Sequence, residues 1–279
     1  MRERMYSAVA SYNARCKNKM KTFYSRYRSF LAILLLVLMA CAGCTPSSKE
    51  NPYPFALDQV IVLTPGKYIT YRTDSLVFPQ FGRQIATRSY LIKNVVDSAF
   101  TDNLGRTAYR ILRFINDTLS SGTWQPAGSF AITLSPERME WNEDNRRYVK
   151  LQQPLVNGQS WKGNRYLPDQ PFEPTYSFSN DDNMQNWNYR CVENSGSFSF
   201  RNKTYQQVIT IEQVDEQFNV PVVQTNAFAF RNRAVDRFSK GIGLVYRELE
   251  CWEYQPNTGG SGGPYRVGFG IKQWMVDHN

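Results

Sequence analysis

The chain has 279 residues, 42% hydrophobic and 14% aromatic, enough for one large domain or two small ones with a true core. Its formal charge of +9 first suggests a nucleic-acid partner, but the excess is local. Residues 1–30 hold eight basic side chains against Glu3, which leaves 25 basic and 23 acidic residues from position 44 on and excludes a strongly cationic folded part.

The first element is a leader. Residues 1–30 are basic and polar, residues 31–40 read "LAILLLVLMA", and the small Ala42 and Gly43 follow. This is the order of a secretory signal, ending at position 43. The apolar run of 13 residues from Leu31 to Gly43 would extend about 20 Å as a helix, short of a ~30 Å bilayer core. Met1 and Met20 both stand as start sites.

Within the leader, "LMACAGCT" resembles the lipobox of bacterial lipoproteins, in which an aliphatic residue and two small ones precede the lipidated cysteine. Cys44 follows Ala42-Gly43, with Cys41 at the aliphatic position. The alternative, Cys41, follows Leu38-Met39-Ala40. The resemblance implies diacylglycerol on Cys44, and more than one acyl chain gives a stable anchor. No Asp follows Cys44, which by the same resemblance points to the outer membrane. The Ser/Pro-rich stretch 44–54 reads as a tether.

From residue 55 to 279 the pattern is β. Runs at 67–78, 88–100, 106–117, 128–134, 205–216, 243–254 and 265–277 are rich in Val, Ile, Tyr, Phe and Thr and are bounded by Gly, Asn, Asp and Pro. Residues 138–151 read as a hairpin around Asn142–Asn145, and 188–202 as another turning at Asn194-Ser195-Gly196. The best helical stretch is 226–241, with Phe228, Val235 and Phe238 roughly on one face and Gly241 as a stop. The expected fold is all-β, an antiparallel sandwich or partly open barrel with at most one or two short helices. "LTPGKYITY" (63–71) and "LVNGQSWKG" (155–163) share a leucine, a glycine three residues on and an aromatic soon after. Two related β halves splitting near 152 would explain the likeness, as would two ordinary turn-to-strand joins.

The same stretches carry a second resemblance. Pro65, Gly66, Tyr68 and Tyr71 in "ALDQVIVLTPGKYITYR", and Lys240, Gly241, Gly243, Leu244, Val245 and Glu248 in "FSKGIGLVYRELE", are similar to landmarks of uncharacterised bacterial cell-envelope lipoproteins. That resemblance implies a mostly antiparallel β fold in the cell envelope and brings no catalytic residues with it.

Chemistry is sparse. His278 is the only histidine and the penultimate residue, which argues against a multi-histidine metal site or a Ser-His-acid mechanism and reads as a solvated tail residue. "GGSGG" (259–263) lacks the Lys-Ser/Thr of a phosphate loop. Asp181, Asp182 and Asn183 lack the spacing of a calcium loop and read as a solvated polar turn. Strand alternation places Tyr246, Glu248, Glu250, Trp252 and Tyr254 on one face, a candidate platform for a glycan, with Val245, Leu249 and Cys251 facing a core. Glu140, Glu143, Glu193 and Glu212 join Glu248 and Glu250 as carboxylates a hydrolase could pair. Trp124, Trp141, Trp161, Trp187 and Trp274 read as core or rim. Cys191 and Cys251 are the remaining mature cysteines and could form a bridge worth about 3–4 kcal/mol.

These readings converge on a membrane-anchored envelope lipoprotein with a non-enzymatic binding or structural domain. Its expected partners are membrane lipid and a glycan or envelope protein, with no nucleic acid, no cofactor, no metal and no catalytic residues. The alternatives are an anchored glycan hydrolase using paired carboxylates and a lipid or lipoprotein carrier with an apolar cavity. Cys44→Ala is expected to abolish incorporation of a labelled fatty acid and to leave the precursor mass, while Cys41→Ala is still processed; the reverse pattern would move the anchor to Cys41.

Overall fold

The computed structural model describes residues 56–279 apart from 174, 258, 260 and 261. The leader, both lipobox cysteines and the tether lie outside the described residues. The strands are β1 (Tyr68–Val77), β2 (Ala86–Thr101), β3 (Thr107–Asn116), β4 (Gln125–Leu134), β5 (Arg138–Glu143), β6 (Arg146–Gln152), β7 (Ser160–Lys162), β8 (Asn188–Phe200), β9 (Lys203–Phe218), β10 (Ala229–Ser239), β11 (Gly243–Gln255) and β12 (Tyr265–His278). Two three-residue 3-10 turns, Leu57–Gln59 and Met184–Asn186, are the only helical elements among the described residues.

Each strand pairs antiparallel with the next in sequence except across β6 and β7, and β12 pairs with β1, giving the order β6-β5-β4-β3-β2-β1-β12-β11-β10-β9-β8-β7. A twisted sheet this wide must curl. Its two edges come together: the Val149 N–H donates to the Gly163 carbonyl at 2.8 Å, and Trp161 Nε1 donates to the Val149 carbonyl at 2.8 Å. The result is a nearly closed antiparallel barrel rather than a sandwich. At the seam a Cβ on Gly163 would overlap the buried Tyr189 ring, so only glycine lets the two edges close.

Odd-numbered strands run toward one end, the mouth, and even-numbered strands toward the other, the base. The base is stoppered by the buried Leu57 and Val60. Ile61 bridges to Ile242 there, and the Gly241 N–H donates to the Gln59 carbonyl at 2.8 Å. The chain end is fastened at the base too. His278 pairs with Ile69 in the β12–β1 ladder, and Asn279 Oδ1 accepts the Tyr68 N–H at 2.8 Å. His278 is therefore exposed but held in a strand, not on a loose tail.

Three local expectations change. The stretch 226–241 is β10, because Ala234, Asp236 and Phe238 alternate inward with Arg233, Val235 and Arg237 outward; this period of two outweighs a poor helical face. Asn194–Gly196 is not a turn but an irregularity inside β8, whose register to β9 shifts between Cys191 and Ser197, and the chain reverses at Arg201-Asn202. The hairpin at 138–151 turns at Asp144-Asn145, both with positive φ (51° and 60°), as a tight two-residue connection requires.

The bridge between Cys191 and Cys251 is absent: both are free, buried thiols. They sit on β8 and β11 with β9 and β10 between them, about 14 Å apart along a sheet spaced at ~4.8 Å per strand, beyond the ~7 Å that a disulfide spans.

The sheet's edges fall between Gln152 and Ser160, so six strands precede the seam and six follow it. The two turns that open these sets are bonded alike. Lys67 donates to Thr64, Gly66 to Val96, and Val96 back to Lys67, at 3.0, 2.8 and 2.8 Å. Gln159 donates to Val156, Gly158 to Cys191, and Cys191 back to Gln159, at 3.0, 2.8 and 2.9 Å. Gly66 and Gly158 share a φ of 89° and 87°. The aromatics are not equivalent: Tyr68 lies two residues past its glycine and Trp161 three, so alternation sends them to opposite faces.

Gly163→Ala is expected to lower stability by about 1–3 kcal/mol through overpacking at the seam, read as a shift of the urea midpoint. Gly122→Ala, where an added Cβ meets nothing closer than 3.5 Å, should leave the midpoint unchanged.

Candidate functional site

Alternation along the strands turns several charged side chains into the lumen: Arg113 on β3, Glu143 on β5, Lys150 on β6, Asp236 on β10 and Arg247 on β11. Asp236, 1% exposed, is the hub. Its Oδ2 accepts Lys150 Nζ at 2.9 Å and Gln213 Nε2 at 2.7 Å, and its Oδ1 accepts Arg247 Nε at 3.2 Å. Arg247 also reaches Glu143 at 3.4 Å, and Glu143 pairs with Arg113. Three cations thus face two carboxylates.

The energetics of this cluster are those of a buried network. Burial would raise the Asp236 carboxyl, but the charges of Lys150 and Arg247 and their hydrogen bonds hold it below the usual range. Glu143 is likewise favoured by burial toward its neutral form and held low by Arg247 and Arg113. Burial pushes the Lys150 ammonium down from the ordinary lysine value, with Asp236 pulling the other way. For Arg247 burial opposes the charge, and Asp236 and Glu143 more than offset it.

Two donors in this layer have no hydrogen-bond partner among the described residues: Arg247 Nη2 and Trp141 Nε1. The Arg247 guanidinium lies 4.7 Å from the centroid of the Trp141 ring, and Trp141 is 3% exposed. Above this pair a cleft of about 450 Å³ is walled by Tyr90, Ile92, Ile115, Tyr148, Leu249 and Ile271, interspersed with Thr73, Asn94, Arg146 and Gln273. Below it a small cavity of about 50 Å³ is lined by Ile61, Ile69, Val96, Ile111, Phe130 and Ile132, and reaches the base beside Lys67, Tyr68 and His278. Trp141 borders both spaces.

The long β7–β8 connection, 163–187, covers part of the mouth. Phe172 and Tyr176 pack on Phe269 with ring centroids 4.9 and 5.2 Å apart, and Phe178 joins them. Asp181 and Glu253 hold the segment down. Asp181 Oδ2 accepts the Phe172 N–H at 2.7 Å, and Glu253 Oε2 accepts both the N–H and the hydroxyl of Ser179 at 3.0 Å. Asp181 is therefore a buried fastening, not part of a solvated turn, and burial raises its carboxyl. Among the described residues no group of three or more His, Cys, Asp or Glu is arranged to hold a metal ion.

The five residues of the expected platform do share one face of β11, the outer one. They are engaged by their neighbours. Tyr246 packs against Phe198 and Trp274 at 5.2 and 5.9 Å, and its hydroxyl donates to Glu248 at 3.1 Å. Lys272 pairs with Glu248 and Glu250 at 2.9 and 3.1 Å. Trp252 meets Phe78 edge-on at 6.2 Å, and the Tyr254 hydroxyl donates to the Thr225 carbonyl at 2.8 Å. Of the other carboxylates, Glu140 lies outside the lumen with Arg106, Arg138 and Arg147, and Glu212 pairs with Arg233. Only Glu143 enters the lumen. Sequence reasoning missed Lys150, Asp236 and Arg247. The available signal was a charge standing at an inward, otherwise apolar position, as Asp236 does between Ala234 and Phe238.

No family model matches the chain, and no curated protein does. Two solved structures are similar. An exported protein with a YmcC-like fold from Bacteroides fragilis aligns over 77% of this chain and 97% of its own, at 7% identity and a TM-score of 0.37. An outer-membrane lipoprotein-sorting protein domain from Vibrio parahaemolyticus aligns over 77% and 85%, at 11% identity and a TM-score of 0.19. At these values the likeness is remote.

Asp236→Asn would leave Lys150 and Arg247 buried without their shared counter-charge, at an expected cost of about 3–5 kcal/mol in urea unfolding. Because the folded Asp236 and Glu143 titrate below the unfolded range, their contribution is present above about pH 4 and is lost as pH falls through the lower folded values. The unsubstituted protein should therefore lose stability steeply below about pH 4, and Asp236→Asn should make that slope shallower.

Proposed function

We propose that this chain is an outer-membrane lipoprotein whose barrel binds a small amphiphile with an acidic head in its lumen. The observation that carries the reading is the pairing of Arg247 Nη2 and Trp141 Nε1, two buried donors without partners among the described residues, beside a cleft whose walls mix Ile92, Ile115, Leu249 and Ile271 with Thr73, Asn94 and Gln273. A carboxylate or phosphate oxygen that displaces the packing over these donors supplies what both lack, and the apolar part of the walls suits an acyl or other apolar tail. The surplus cation of the Asp236 cluster favours an anionic head. The lipobox at Cys44 supports the anchor, and the absence of Asp after it supports the outer membrane.

The same geometry disfavours hydrolysis of glycans in this cleft. Such a reaction needs one carboxyl kept protonated near neutral pH. Glu143 and Asp236 are both held ionised by the cations between them. The lumen is arranged to hold a ligand rather than to move a proton.

A photoreactive fatty acid supplied to membranes containing the full chain tests this. Cross-links should map to peptides of β3, β5 and β11 and be displaced by oleate. Trp141→Phe keeps the ring but removes one donor, and should weaken oleate competition about tenfold, the worth of one hydrogen bond to a charged group. Labelling that avoids lumen peptides, or a Trp141→Phe curve identical to the parent's, would overturn the reading.

A further inference from the structure

We infer that the mouth of the barrel docks on a lipid surface through the tips of three separate loops. The loops after β1, β3 and β9 all lie at the mouth and carry Phe81, Leu119 and Val223 at their tips. These side chains are 94%, 84% and 78% exposed, the highest values for large apolar residues among those described; Leu104, at the base, follows at 68%. Isolated apolar side chains on a surface are ordinary, but the three most exposed ones share the end where the cleft opens.

Each tip is braced outward. The Arg266 N–H donates to the Gly82 carbonyl at 2.8 Å and the Gly82 N–H to the Phe78 carbonyl at 3.2 Å, pinning the first loop to the start of β12. Phe81 itself holds a φ of 59°, uncommon for a bulky residue. Asp117 Oδ1 accepts the N–H groups of Leu119 and Ser121 at 2.8 and 3.2 Å. Asn219 Oδ1 accepts those of Val223 and Gln224 at 3.2 and 3.1 Å, and Asn219 Nδ2 donates to the Gln224 carbonyl at 2.8 Å. A loop free to collapse would bury its apolar tip; these turns prevent it.

A lipid surface fits this arrangement better than a protein does. A stable protein interface needs a continuous, shape-matched patch of roughly 800 Å² per side. One large apolar side chain projects from each of three loops, the first and third packed in one cluster through Phe78, Val220 and Val222; a fluid interface takes up such tips without matching shape. Geometry also permits it. From Cys44 to Ala56 there are 12 residues, an extended reach of about 40 Å. The two longest strands, of 16 residues, tilted at ~40° stand at most about 40 Å tall. The mouth can therefore reach the membrane that holds the anchor. In its purpose, to pass an amphiphile between membrane and lumen, the inference rests on the binding reading above.

The test uses the full lipidated chain in phosphatidylcholine vesicles with brominated acyl chains. Tryptophan is introduced by Phe81→Trp, Leu119→Trp or Val223→Trp at the mouth and by Leu104→Trp at the base, and the added emission is compared with the parent's. Quenching at the three mouth positions should exceed that at position 104 at least threefold; equal quenching at all four, or none at the mouth, overturns docking. The triple variant Phe81→Asp, Leu119→Asp, Val223→Asp should slow fatty-acid transfer between vesicles at least tenfold, with fatty-acid affinity and thermal midpoint unchanged. Transfer at the parent rate would overturn the purpose. A chain that binds no fatty acid yet is quenched at the mouth would separate the two ideas, sinking lumen binding and keeping the docking.

Discussion

One carboxylate organises the lumen. Asp236 is fully enclosed and ionised, which is tolerable only because Lys150 and Arg247 deliver compensating charge and Gln213 a further hydrogen bond. Lys150 belongs to β6, the last strand before the seam; Gln213, Asp236 and Arg247 belong to β9, β10 and β11 beyond it. The hub therefore draws the two six-strand sets together across the lumen, while the Val149–Gly163 hydrogen bond does so along the wall. Because a buried ionic network is geometrically demanding, it also fixes where Arg247 must lie, and with it the guanidinium stacked on Trp141.

The strands were legible in the sequence to within a few residues, because a half-buried sheet imposes a period of two and its turns demand Gly, Asn or Asp. The reading failed where those signals were mixed. In β10 the stretch looked like an imperfect helix because Phe228, Val235 and Phe238 fall roughly on one helical face and Gly241 could stop it, whereas Ala234, Asp236 and Phe238 share one face of a strand. The inward position of Asp236 becomes sensible only once Lys150, 86 residues away in sequence, is beside it. In β8 the Asn194-Ser195-Gly196 signal was real, but it marks an irregular stretch that the strand absorbs.

The candidate site was legible only in outline. The outer face of β11 was read correctly as one face, since alternation is local. That its aromatics and acids are engaged by Phe198, Trp274 and Lys272 depends on the register of β12 and the reach of the β8–β9 hairpin, which no local pattern encodes. The likeness between the turns at 63 and 155 was visible as a leucine and a glycine. Its deeper content, identical main-chain bonding of the two turns, lives in atoms that side-chain letters do not describe.

The layered lumen also sets how an amphiphile would lie. The Arg247–Trp141 layer stands between the open cleft and the small cavity at the base. A cavity of about 50 Å³ is too small for an acyl tail, which leaves the cleft above the layer as the place for one. A head seated on that layer meets two unused donors, with its tail directed up the cleft along Ile92, Ile115 and Ile271. The tail then ends near the mouth, the end at which Phe81, Leu119 and Val223 project. Exposed apolar loop tips at the mouth, a mixed wall below them and charge at the floor stand in the order in which an amphiphile of the proposed kind would meet them.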